Sequence, residues 1–275
     1  MGSLIRITLL TVPAGDAEVA ADALRAAGAS GVEERPGPSA TTVTLVADAA
    51  PAVVRDGWRV DVADVDDGRD AWRAHAQVWS IGRFRVRPPW VAVAAADSDM
   101  AADTIELVID PGHAFGSGSH ATTRLVLAEL ARLVRGGEAV LDVGCGSGVL
   151  AIAAARLGAS AVDAVDTDPA AREATASNAR ANGVVVRVVA LDDIAVGVGR
   201  GSYDVVVANI GAATLRDLAP ALVRLVRVGG RVVLSGVLAD QADAVASAYG
   251  AAGGFGIETR TDDDGWVALV LRSTA

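Results

Sequence analysis

A chain of 275 residues, 52% of them apolar, holds material for one large domain and a smaller one, and it excludes wholesale disorder. Its net charge is −10 and its 24 basic side chains are all arginine, so no broad nucleic-acid footprint is expected. The acidic excess suits a basic protein partner, or solubility alone.

No apolar run is long and charge-free enough to span a bilayer, so no membrane partner is expected. The opening residues MGSLIRITLLTVPAGD lack a basic n-region and a clear cleavage site; they read as a strand, and the expected location is cytoplasmic. Arg6 at the sixth position argues against N-myristoylation. Cys145 is the only cysteine, which excludes an internal disulfide, and His75, His113 and His120 make no zinc signature, so no metal is expected.

Residues 4–12 alternate loosely and predict a strand. Residues 16–27 predict a helix with Val19, Ala20, Ala23 and Leu24 on its apolar face, stopped by Gly28. Residues 30–34 and 41–47 read as strands joined through Pro36-Gly37-Pro38. A short helix over 51–56 and a strand over 58–62 complete a β-α-β-β-α-β series, a ferredoxin-like α+β domain over residues 1–62.

Residues 63–100 are expected as a linker, beginning in the acidic run DVADVDDGRD. Within it, 71–79 predict a helix, and 83–86 and 91–95 short strands around Pro88-Pro89. From 101 to 275 strands and helices alternate. Strands are expected at 104–109, 139–143, 161–165, 184–190, 203–208 and 231–235, with helices at 121–133, 149–157, 169–181, 212–226 and 239–252. A closing antiparallel pair is expected at 255–260 and 266–271. This order predicts a doubly wound α/β sheet.

The most informative run is 140–168, VLDVGCGSGVLAIAAARLGASAVDAVDTD. A buried strand enters Gly144-Cys145-Gly146-Ser147-Gly148, a helix follows, and a second strand ends at Asp166. Glycines let a ligand approach the main chain, and an acid at the second strand end can accept both ribose hydroxyls. A dinucleotide dehydrogenase would show G-x-G-x-x-G. Here the spacing is G-x-G-x-G, and Asp142 precedes it by two residues. A carboxylate there repels a pyrophosphate and pairs with an amino-acid ammonium. S-adenosylmethionine carries that ammonium, a sulfonium and a ribose, and no phosphate. A glycine turn without a ligand is the plain alternative.

Three further segments bear on the site. DPGHAFGSGSHATT, residues 110–123, combines three glycines with small hydroxyl residues ahead of a helix, a loop able to close over a cofactor. Phe115 and Thr123 are its candidate cofactor contacts. Asp192, beyond the third strand, could accept an adenine amino group. Asn209, in Ala208-Asn209-Ile210-Gly211, ends the fourth strand on the same crevice. Its carbonyl oxygen can accept from a substrate amine while its nitrogen donates to backbone. Linker, solvated pair and cap are the plain readings of these three.

The runs DPGHAFGSGSHATT, DVGCGSGVLAIAAARLGA with the following DTDP, ANIGAATLRDLAP and GGRVVLSGVLADQ resemble the bacterial ribosomal protein L11 methyltransferases. The resemblance extends over roughly residues 72–266. It implies a ferredoxin-like domain that grips the ribosomal protein, a linker, and a class I methyltransferase domain using S-adenosylmethionine. It places Thr123, Gly144, Asp166 and Asn209 on cofactor-contacting positions; Asp142, Gly146 and Gly148 belong to the same turn. Ser117, Ser119, His113, Ala121 and Gly211 depart from the family pattern, and His113 and Gly211 bear on the substrate pocket.

The expected reaction is methyl transfer to amines, on lysine side chains or an N-terminal amine, of a large-subunit ribosomal protein met free of the ribosome. Asn209 is the expected amine-orienting residue. His120 is a candidate base or loop holder. Methylation of another protein or a small molecule, a nicotinamide dehydrogenase, and a non-catalytic binding module remain as alternatives.

Overall fold

The computed structural model describes residues 4–29, 32–39, 41–47, 49, 54–66, 78–91, 103–110, 120–189 and 201–273. The chain forms two compact units, Met1–His75 and Ala76–Ala275.

The first unit holds β1 (Leu4–Pro13), α1 (Ala17–Ala26), β2 (Val32–Pro36), β3 (Thr42–Ala47) and β4 (Arg59–Asp66). Its strands lie in the order β2-β3-β1-β4, every pair antiparallel, which is the ferredoxin-like arrangement. Leu10, Val12 and Leu45 meet Ala20, Ala21 and Leu24 of α1 in one core that Trp58 closes. Burying a leucine such as Leu24 contributes about 2 kcal/mol. The Trp58 indole is buried and donates from Nε1 to Asp16 Oδ2 at 2.9 Å, so its one polar atom is satisfied.

Two expectations change in this unit. Val19 is exposed rather than on the buried face, because the stripe runs through Ala20 and Leu24, one helical turn apart, and Val19 sits about 100° away. Residues 54–56 are not helical, and the rest of the expected second helix, 51–53, lies outside the described residues. Strand β4 also continues through Ala63–Asp66, pairing with β1 back to Leu4, where a linker is expected to have begun.

The second unit begins, among its described residues, with β5 (Trp79–Ile81), β6 (Phe84–Arg87) and β7 (Ile105–Val108) in a small sheet. Trp79 is therefore in a strand, not at the end of a helix; residues 71–77 and 92–95 lie outside the described residues. Phe84, Leu107 and Ile109 pack with Val126 and Leu130 of α2 (Ala121–Leu133) and with Leu150 and Ile152 of α3 (Val149–Arg156).

The large sheet comprises β8 (Ala139–Val143), β9 (Ala161–Val165), β10 (Arg187–Val189), β11 (Tyr203–Asn209), β12 (Val226–Leu238), β13 (Phe255–Asp263) and β14 (Trp266–Ser273). Their order is β10-β9-β8-β11-β12-β14-β13. Strands β8 to β12 are parallel, and β14 inserts antiparallel between β12 and β13. Helices α4 (Pro169–Ala181), α5 (Ala212–Leu225) and α6 (Ala242–Gly253) complete the alternation. The central strand β11 is buried along Tyr203–Ala208, as a strand covered on both faces must be.

The chain runs outward from β8 to β9 and β10, then returns to β11 on the other side of β8. The carboxyl ends of β8 and β11 therefore flank a topological switch point, where open α/β sheets leave a crevice. Val143 and Ala208 are register partners there, so Gly144 and Asn209 leave the sheet side by side.

Candidate active site

A cavity of about 800 Å³ opens at this switch point. Such a volume accommodates a nucleoside-sized cofactor with room beside it. One wall is the turn Gly144–Ser147, with Val165 to Asp168 next to it; the opposite wall is Asn209, Ile210, Gly211, Thr214 and Leu218. His120, Thr122, Gly236 and Trp266 close one side.

The turn is fixed from the neighbouring strand. The amides of Gly144 and Cys145 both donate to Val165 O, at 2.9 and 3.0 Å. Gly146 N donates to Asp166 Oδ2 and Asp168 N to Asp166 Oδ1, each at 3.0 Å. A carboxylate has about four lone-pair sites. Asp166 thus spends two on the backbone and keeps two for hydroxyl donors in the cavity. Asp168 caps α4 through Ala170 N at 2.9 Å, with Pro169 at the first helical position.

The three turn glycines serve different ends. Gly144 has φ +75°, and a Cβ there would stand 2.4 Å from Ile210 Cγ2 on the facing strand end. Gly146 has φ +53°, and its carbonyl accepts from Thr175 Oγ1 at 3.0 Å. Gly148 does not line the cavity: a Cβ there would meet Thr175 on α4 at 2.8–2.9 Å, so this glycine is for helix packing.

Asp142 lies beneath the turn rather than in the cavity wall. It is fully buried, and Oδ2 accepts from Ala151 N at 3.1 Å inside α3. Oδ1 has no hydrogen-bond partner, and neither does the buried Ser147 Oγ above it in the turn. Burial, reinforced by the charge of Asp166 and opposed by the Ala151 amide, pushes the Asp142 carboxyl up to about 7. Cys145 is also buried, receives a hydrogen bond from Thr175 Oγ1 at 3.3 Å, and is pushed up to about 12 mainly by burial. A thiol so raised is no nucleophile at neutral pH.

Asn209 lines the cavity. Its Nδ2 donates to Thr123 Oγ1 at 3.3 Å, a side-chain partner in place of the expected backbone one. Among the described residues its Oδ1 accepts no hydrogen bond and remains available to a donor. Thr123 itself is buried and outside the described cavity wall; among the described residues it meets the site through Asn209. His120 is the N-cap of α2, with Nδ1 2.9 Å from Thr122 Oγ1 and its ring edge-on to Trp266 at 5.0 Å between centroids. The cap takes up Nδ1, which supports the holding role, and leaves Nε2 as the ring nitrogen for a base.

Gly236 is the position least visible in advance. It sits in a bulge of β12 between Leu234 and Val237, with φ +80°. The bulge lets Ser235 O accept from Ile210 N at 3.2 Å, and a Cβ on Gly236 would lie 2.5 Å from Ile210 O. The close approach therefore sets where Asn209 and Ile210 leave β11. Thr122, Ile210, Thr214, Leu218, Gly236 and Trp266 were not expected as wall residues. Thr122, Ile210, Thr214, Leu218 and Gly236 do fall within the motif runs, whereas Trp266 is brought in by strand insertion. Phe115 and Asp192 lie outside the described residues.

The cavity fits a cationic nucleoside better than a dinucleotide. Among the described lining residues the charged groups are Asp166 and Asp168, and none is arginine. A pyrophosphate would find no side-chain cation there.

The pattern that defines the family described as Ribosomal protein L11 methyltransferase (PrmA) matches residues 39–274. The chain belongs to this family. Proteins named Ribosomal protein L11 methyltransferase from Symbiobacterium thermophilum and Bordetella parapertussis are 40% and 42% identical over 208 and 218 residues, covering 74% and 78% of this chain and 65% and 69% of theirs. A family relative from Thiobacillus denitrificans is 49% identical over 166 residues, 60% of this chain and 54% of its own length. The chain thus spans about half the length of the first curated relatives it matches. A ribosomal protein L11 methylase structure from Lactobacillus delbrueckii subsp. bulgaricus matches with a TM-score of 0.64 at 31% identity, covering 71% of this chain and 98% of that one. No helix among the described residues is long and apolar enough to cross a membrane.

Proposed function

We propose that this chain is an S-adenosylmethionine-dependent protein methyltransferase acting on amines of ribosomal protein L11, in the cytoplasm. One observation carries the reading: a glycine turn bearing an acid with spare acceptor sites faces an asparagine with a free carbonyl oxygen across a cavity that lacks basic side chains among its described residues. When bound, S-adenosylmethionine supplies a methyl group on a positively charged sulfur, so the leaving thioether is neutral.

Asp166 would hold the ribose hydroxyls with its two unused acceptor sites. The Gly144–Gly146 backbone, bare of Cβ atoms at both glycines, would admit the amino-acid part. Asp142, beneath the turn with one oxygen unpartnered, would supply a negative field to an ammonium there once ionised, above about pH 7. Asn209 Oδ1 would accept from the acceptor amine and aim its lone pair, while Thr123 fixes the amide's orientation. A lysine amine must first lose its proton, and an apolar wall of Ile210, Leu218 and Trp266 would lower its pKa. Positioning supplies much of the rate in such a displacement. Phe115 and Asp192 complete the proposed cofactor contacts.

The domain roles belong to the same proposal, with the division that the two compact units give: Met1–His75 recognises the protein substrate and Ala76–Ala275 catalyses. The substrate is met free of the ribosome, which accords with an acidic chain seeking a basic protein. Equilibrium dialysis against labelled S-adenosylmethionine and labelled NAD tests the cofactor. Retention of the first alone is expected; retention of NAD alone would overturn the reading.

A further inference from the structure

Helix α4 and the residue that caps its C-terminus carry two buried asparagines one turn apart, Asn178 and Asn182, only 4% and 9% exposed. Both reach the edge of β7 that, among the described residues, no strand occupies; its other edge pairs with β6. Asn182 Oδ1 accepts from Val108 N at 2.9 Å and its Nδ2 donates to Val108 O at 2.7 Å. Asn178 repeats the clamp two residues on: Oδ1 accepts from Asp110 N at 3.0 Å and Nδ2 donates to Asp110 O at 2.7 Å. Alternate residues of a strand present their backbone groups to the same edge. The two amides therefore imitate a neighbouring strand.

The clamps differ in one respect. The second hydrogen of Asn182 Nδ2 goes to Asn178 O within α4, at 2.8 Å. The second hydrogen of Asn178 Nδ2 goes to Ser147 O in the glycine turn, at 2.9 Å. One planar amide thus ties the end of β7 to the cofactor side of the cavity. A primary amide has two donors and a two-lone-pair acceptor in fixed geometry, so moving either partner misaligns the other.

We infer that Asn178 is a positioning residue for the cofactor: it sets the Ser147 segment of the glycine turn against the β7 exit at Asp110, whereas Asn182 serves the β7 edge alone. The inference rests on the proposed use of S-adenosylmethionine. A purely structural role predicts equal consequences for the two asparagines, since each fastens one residue, Val108 in β7 or Asp110 just past it, by two hydrogen bonds.

The test compares Asn178→Ala and Asn182→Ala in the full chain by melting temperature and by calorimetric Kd for S-adenosylmethionine. Both are expected to melt lower by similar amounts. Asn178→Ala is expected to raise the cofactor Kd at least tenfold, and Asn182→Ala less than twofold. An unchanged Kd in Asn178→Ala, or an equal rise in Asn182→Ala, overturns the inference. Should Asn178→Ala fail to fold, amide exchange in the unmodified chain decides. Adding S-adenosylmethionine is expected to slow exchange at Asp110 at least threefold while leaving Val108 within twofold; no slowing at Asp110, or equal slowing at both, overturns it. If the unmodified chain does not bind S-adenosylmethionine, the functional reading falls first, and with it this inference.

Discussion

Replacing Asp142 by asparagine separates what this residue does for the site from what it costs the fold. The side chain is fully buried, holds one hydrogen bond from Ala151 N, and leaves Oδ1 without a partner. Its carboxyl moves from an ordinary 3.8 to about 7, chiefly through burial. The folded state therefore holds the proton more tightly than the unfolded state. Stability from this group is complete below the unfolded value, falls as pH rises from about 4 to about 7, and stays low above that.

With about 1.4 kcal/mol per unit, the cost is about 2 kcal/mol at pH 5 and about 4 kcal/mol at pH 8. The amide introduced by Asp142→Asn would keep the shape and an oxygen for Ala151 N without the charge. Urea unfolding of both proteins at pH 5 and pH 8 gives the comparison, and other titrating groups cancel in the difference. The advantage of Asp142→Asn should grow by about 2–3 kcal/mol between the two pH values. At pH 8, where the carboxyl is ionised, Asp142→Asn should also weaken cofactor binding, because the field under the turn is lost; at pH 5 the two proteins should bind alike. A stability difference that stays within about 0.5 kcal/mol across this range would refute the burial argument.

Further substitutions probe the crevice. Asn209→Ala should lower turnover by roughly tenfold or more with little change in melting, measured by methyl incorporation; turnover within twofold would remove its orienting role. Thr123→Val takes away the partner of Asn209 Nδ2, and should lower turnover several-fold while cofactor Kd holds. A tenfold weaker Kd would instead make Thr123 a direct cofactor contact. Gly236→Ala should cost about 2 kcal/mol or more in denaturant unfolding, from its positive φ and the Ile210 carbonyl in its way. Cys145 should stay unlabelled by iodoacetamide at pH 8 in the native protein, given a thiol raised to about 12; rapid stoichiometric labelling would contradict its burial.

Local signals carried much of the fold. The strand 161–165 and the helix 169–181 have the bounds that their apolar runs and the Asp168-Pro169 start predict. Strand β12 begins five residues before the expected 231, because Val226 already pairs with Tyr203 and residues 227–230 form an irregularity before Arg231 pairs with Val205. The site was legible where one segment builds it, as in the Gly144 turn and Asp166. It was not legible where distant segments meet. Thr123 finds Asn209 across 86 residues, and Asn178 finds Asp110 across 68, contacts that depend on how α2 and α4 pack. Asp142 could be read as an acid beside the turn, but not as one sealed beneath it with an unpartnered oxygen. That depends on α3 folding back over β8.

The central claim is methyl transfer to amines of ribosomal protein L11. The direct measurement is incubation of the purified chain with methyl-labelled S-adenosylmethionine and purified, unmethylated L11 beside a lysate of its own source, followed by mass spectrometry of the labelled species. Methyl groups on lysine side chains or the N-terminal amine of L11 are predicted. Label confined to RNA, to a small metabolite or to other proteins would contradict the account.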